Sequence, residues 1–243
     1  MADTNNTTPS TTNAAVSTTA AAPSTTPAAP AKKKVDIKSL EIFIIVDTSG
    51  SMRKKDAGPG KNQKRLDATQ ESALAFTDYV SKFDDDGVTI IRFASKVDVH
   101  DGVTVDTLEN IFAEFNPMGG TATDQAIQKA ADMYFQKAAQ RKSKGEAFKS
   151  AFLAIFTDGA PETDASKKNT AKVIVDITKK IKDRSEFGMI FFQVGNDQEA
   201  TDFLDKLNND LDGVADHDIV AVRRLEDMES VTIEDMITEA FTE

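Results

Sequence analysis

The sequence predicts a doubly wound α/β domain: a mostly parallel central sheet with one antiparallel edge strand and helices on both faces. Three observations predict it. Five short apolar runs recur along the chain, Ile42 to Val46, Val88 to Phe93, Phe152 to Phe156, Met189 to Val194 and Ile219 to Val222. They are rich in Ile, Val and Phe and do not alternate with polar residues, the pattern of strands buried on both faces of a parallel sheet. Longer stretches with helical spacing lie between them, so strand and helix alternate. Finally, only Ala94, Ser95 and Lys96 separate Phe93 from the run Val97, Val99 and Val103. Three residues cannot make a parallel crossover, so this segment turns back as the reversed edge.

Each helical stretch carries its own stripe. Leu66, Ala73, Phe76, Val80 and Phe83 form the first; Val173, Ile174, Ile177 and Ile181 the next; Phe203, Leu204, Leu207 and Leu211 a third. At the end of the chain Ile233, Met236, Ile237, Ala240 and Phe241 are spaced i, i+3, i+4, i+7 and i+8, with Thr232 placed as N-cap. Asp84-Asp85-Asp86 reads as a solvated turn, and Gly195-Asn196-Asp197 as a turn that starts a helix.

Residues 1–31 contain nine Thr, nine Ala, four Pro, three Ser and three Asn. Such a segment has nothing to bury, so residues 1–34, which end in Lys32, Lys33 and Lys34, are expected to be a disordered tail before a single domain over 35–243. That domain carries 39 acids against 26 bases, a net charge of -13, which argues against nucleic-acid binding. No secretory signal pattern and no 18-residue apolar run occurs, so the expectation is a cytoplasmic protein without a membrane span.

With no cysteine, thiolate chemistry and disulfides are excluded; with only His100 and His217, so is a multi-histidine metal site. Any metal here is held by oxygen. In open α/β sheets ligands sit outside the carboxyl ends of the strands, which singles out the loops 47–65, 116–123 and 157–164, where Pro59, Pro117 and Pro161 fall. The first opens with Asp47-Thr48-Ser49-Gly50-Ser51-Met52, the second holds Gly119-Gly120-Thr121-Ala122-Thr123, and the third begins Thr157-Asp158-Gly159. Two carboxylates and three hydroxyls suit Mg²⁺ or another hard divalent cation.

These three elements, in this order over 38–243, resemble the von Willebrand factor A-type (VWA) family and its metal-ion-dependent adhesion site, whose pattern is D-x-S-x-S, then a threonine, then an aspartate. The resemblance implies a VWA, Rossmann-like fold and a metal site at Asp47, Ser49, Ser51, Thr121 and Asp158, with Mg²⁺ as the metal and Mn²⁺ or Ca²⁺ as alternatives. It also implies direct coordination by the serines, and an open position filled by a partner protein's Glu or Asp. The function so implied is a non-enzymatic, Mg²⁺-dependent adaptor or scaffold module; intracellular relatives commonly work beside AAA+ ATPases or in stress-response assemblies. A metal-assisted hydrolase of phosphate or acyl groups is the alternative.

Other readings weigh less. Asp47, Ser49 and Ser51 also suit a turn and helix cap, but Thr121 and Asp158 in the matching loops favour the metal. Thr123 reads as the cap of a helix beginning near Asp124. Segment 53–65, with Arg53, Lys54, Lys55, Lys61, Lys64 and Arg65 against Asp56, reads as an exposed solvated loop; steering of an acidic partner is its functional alternative. Gly58-Pro59-Gly60-Lys61-Asn62 fails the P-loop pattern at Lys55 and Asn62.

Overall fold

The computed structural model describes residues 34–58, 60–83, 86–211 and 213–242. The Thr/Ala-rich tail up to residue 33, Pro59 and the Asp84-Asp85 pair lie outside the described residues. In chain order, β1 (Leu40–Asp47) leads through a 3₁₀ turn (Gly50–Arg53) into a hairpin of β2 (Lys55–Ala57) and β3 (Gln63–Lys64), then α1 (Arg65–Ser81). β4 (Val88–Phe93), β5 (Val97–Val103), α2 (Val105–Ala113) and α3 (Thr123–Lys144) follow. β6 (Ser150–Thr157), α4 (Asp164–Thr178), β7 (Phe187–Gln193), α5 (Gln198–Asn209), β8 (Val220–Arg224) and α6 (Ile233–Glu239) complete the chain.

The main sheet has the order β5-β4-β1-β6-β7-β8. Every neighbouring pair is parallel except β4 and β5, so the reversed edge stands as the short connection predicts. β1 shows why its sequence does not alternate. Ile42, Ile44 and Val46 pack into the layer of α1, α2 and α6, while Phe43 and Ile45 pack into the layer of α3, α4 and α5. A strand covered on both faces has no solvent side to mark with polar residues. Phe76 of α1 stacks on Phe152 of β6 with 5.5 Å between ring centroids. On the same face, a Cβ on Gly188 would lie 2.6 Å from the Ala240 carbonyl oxygen, so glycine is what lets the end of α6 rest on β7.

From β1 the chain crosses to β4 on one side, and the next parallel strand, β6, joins β1 on the other. The strand order therefore reverses between β1 and β6, and their carboxyl ends open the crevice where a ligand binds in such sheets.

Several expectations need correction. Segment 53–65 is largely exposed, as expected, but it is not a plain loop: it forms the end of the 3₁₀ turn and the β2–β3 hairpin, and Arg65 is buried as the first residue of α1. Phe83 lies beyond the end of α1 and is 39% exposed, so it does not continue the stripe. Thr123 is already inside α3, whose N-cap is Ala122; its buried hydroxyl has no hydrogen-bond partner among the described residues. α2, which Thr104 and Thr107 start with a capping box and which buries Leu108 and Phe112, was not foreseen. Asp197 and Thr232 do start α5 and α6 with side-chain caps, as the sequence indicates. No described helix is long and apolar enough to cross a membrane.

Candidate metal centre

β1 delivers Asp47 fully buried to the sheet's carboxyl edge. The chain then turns sharply: the Thr48 N–H and hydroxyl both donate to the Phe93 carbonyl, at 2.7 and 3.0 Å, which fastens the turn to the end of β4. The Ser49 N–H donates to Asp47 Oδ1 at 2.7 Å, an Asx turn that aims the next hydroxyls back toward the carboxylate. Ser49 Oγ and Ser51 Oγ lie 3.0 Å apart, and Ser51 donates to Asp158 Oδ1 at 2.7 Å. Asp47 Oδ2 accepts from the Thr157 hydroxyl at 2.8 Å. Met52, wholly buried, anchors the far end of the turn in the core.

Asp47, Ser49, Ser51 and Asp158 thus form one hydrogen-bonded cluster across the β1–β6 switch. Thr121 reaches the same rim through its loop and not through a direct bond. Gly50 N–H donates to the Gly119 carbonyl at 3.3 Å and Met118 N–H to the Thr48 carbonyl at 2.9 Å. Gly120 N–H donates to Ser95 Oγ at 2.9 Å, which ties this loop to the β4–β5 turn as well.

The electrostatics are those of crowded anions. Burial, and then the charge of Asp158, push Asp47 up to about 7, although hydrogen bonds from Ser49 and Thr157 pull the other way. Among the described residues no three His, Asp or Glu side chains gather into one group, so a cation bound here would draw on hydroxyls as much as carboxylates.

The model for the von Willebrand factor type A domain matches residues 42–179, a span that contains all three loops. The chain belongs to the von Willebrand factor type A family. Solved structures agree on the fold of this VWA domain. The PilB minor pilin from Streptococcus sanguinis has a TM-score of 0.54 at 11% identity, over 88% of this chain and 64% of its own. The pilus adhesin SpaC from Lactobacillus rhamnosus GG has a TM-score of 0.55 at 12% identity, over 86% of this chain and 32% of its own. This chain therefore spans less than two thirds of either protein. No curated protein matches its sequence.

The VWA cluster also has residues that sequence reasoning missed. Arg65, 2% exposed, donates from Nη1 to Asp158 Oδ2 at 2.7 Å, and from Nε and Nη2 to the two oxygens of Asp56, each at 2.7 Å. Burial works against the charge of Arg65, but the bonds and charges of Asp56 and Asp158 outweigh it and raise its pKa. Arg65 in turn holds Asp56 below the usual carboxylate range. The one signal in the sequence was the placement of Arg65 directly before the apolar stripe that begins at Leu66, where an exposed loop would already have ended.

Gly195, after β7, closes over this pair. Its φ is +81°, and an added Cβ would lie 2.6 Å from Arg65 Nε. Gly195→Ala is therefore expected to destabilise the domain by about 2 kcal/mol, from backbone strain and displacement of the guanidinium together. Urea unfolding measures it, and an unchanged midpoint would show that the guanidinium is not held as described.

Proposed function

We propose that this VWA domain is a non-enzymatic adaptor module that binds an acidic residue of a partner protein through a divalent cation, Mg²⁺ first among them. Asp47, Ser49, Ser51, Thr121 and Asp158 would hold the metal. The observation that carries the reading is the hydrogen-bonded cluster of Asp47, Ser49, Ser51 and Asp158 at the point where strand order reverses.

The donor set fits such a cation. The Ser51 hydroxyl donates its hydrogen bond to Asp158, which orients it and leaves oxygen lone pairs to coordinate. Asp47 is buried beside a second carboxylate, an arrangement that a positive charge stabilises. When bound, the metal supplies a Lewis-acidic position open to a hard anionic oxygen. Around the crevice Arg53, Lys54, Lys55, Lys61 and Lys64 are exposed on the 3₁₀ turn, the hairpin and its connection, a locally basic flank on an acidic domain. That flank favours approach of an acidic partner.

Calorimetric titration of Mg²⁺ and Mn²⁺ tests the metal. Wild type is expected to bind saturably and Asp47→Ala not to bind; no saturable binding by wild type would end the proposal. For the partner, affinity capture in Mg²⁺ and in chelator is expected to retain a specific protein only with metal. Turnover of generic phosphate esters that is lost in Asp158→Ala would instead favour a hydrolase.

A further inference from the structure

Among the described residues Arg65 is the only lysine or arginine that is fully buried. An arginine in the first turn of a helix ordinarily extends its head into water. Here three segments hold it: Asp158 after β6, Asp56 on the hairpin, and the backbone of Gly195 after β7. Its Nη1 touches the carboxylate whose other oxygen accepts from Ser51, so the guanidinium sits directly behind the cluster.

We propose that Arg65 is a positioning residue that fixes Asp158 and, through its charge, keeps a cation bound at the cluster under-neutralised; the proposal rests on the metal reading above. Asp47 and Asp158 alone match the charge of a dication. The guanidinium offsets one of those negative charges, and Asp56, on its outer side, tempers that effect. Metal alone is then bound weakly, while a partner's carboxylate meets a cation with charge to spare. Each strengthens the other, because the partner supplies the anion that Arg65 has offset.

The prediction is a pattern of signs. Mg²⁺ and Mn²⁺ are titrated by calorimetry into the wild-type chain, Arg65→Gln, Arg65→Lys and Asp56→Asn. Arg65→Gln is expected to bind metal about tenfold more tightly, since a positive charge near the site is gone. Arg65→Lys keeps the charge and should stay within about threefold of wild type. Asp56→Asn leaves the guanidinium less compensated and should bind several-fold more weakly. A merely loosened site would weaken Arg65→Gln and Asp56→Asn alike, and that result would overturn the proposal.

Thermal melting gives an independent readout if Arg65→Gln folds only marginally. Mg²⁺ should raise its Tm by more than it raises that of wild type, because the cation replaces the missing charge beside Asp158; an equal or smaller rise counts against the proposal. If wild type and Arg65→Gln both ignore the metals, the metal reading falls and takes this one with it. If wild type binds and Arg65→Gln binds no better, only the role of Arg65 falls.

Discussion

In the absence of metal, Asp47→Asn should be more stable than wild type at pH 8, by at most about 4 kcal/mol, and no more stable near pH 4. The folded chain holds the Asp47 proton up to about pH 7, whereas an ordinary aspartate releases it at 3.8. Between those values the native state binds more protons than the unfolded one, so the stability tied to Asp47 is fully present below the lower value and lost as pH rises through the higher. Asparagine removes this loss and keeps the local bonds. Its carbonyl can accept from Ser49 N–H, and its amide can donate to Thr157 Oγ1, which also lies 3.2 Å from the Gly159 carbonyl as a donor. Urea unfolding in chelator from pH 5 to 8 checks the expectation on the difference between the two proteins, which cancels the general repulsion of an acidic chain. A difference that stays flat with pH would refute the account of Asp47. Saturating Mg²⁺ should hold wild type steady across the same range and leave the asparagine variant unaffected.

Arg65→Met should destabilise the domain by about 3–5 kcal/mol, the effect of stripping a buried carboxylate of its cation. Asp158 has no exposed side-chain surface, so water cannot take over from the guanidinium. Arg65→Met/Asp158→Asn should recover most of the loss, since neither partner is then a buried unpaired charge. Equilibrium unfolding of the four proteins in the cycle yields the coupling. A double variant as unstable as Arg65→Met alone would mean that Arg65 acts through packing and not through the pair.

The sheet was legible because its strands are covered on both faces and write that fact as unbroken Ile, Val and Phe. The edge strand was legible from chain length alone, as Ala94 to Lys96 cannot span a crossover. The caps at Asp197 and Thr232 were local and so readable locally. What escaped has the opposite character. Arg65 stands at the end of a densely charged stretch that reads as solvated, and its burial depends on Asp158, 93 residues away, and on the close approach of Gly195. The hairpin was hidden for a similar reason: β2 and β3 are three and two residues long, too short to show a period. Thr123 has the composition of a cap, but the helix starts one residue earlier than its chemistry suggests. Of the proposed metal residues, four are joined by hydrogen bonds, and Thr121 is positioned by its backbone neighbours.

The cluster joins Asp47 to Thr157 and Ser51 to Asp158 across separations of 110 and 107 residues. During synthesis, then, the Asp-Thr-Ser-Gly-Ser turn emerges 107 residues or more before the aspartate that completes it. Long-range pairings of this kind form late, because the closure of the intervening chain must come first. A ribosome-bound fragment ending before β6 contains the turn from Asp47 to Ser51 and cannot contain the cluster. Occupancy of the cluster would therefore report on a finished fold, and a metal that binds there would stabilise the native domain without guiding its early assembly.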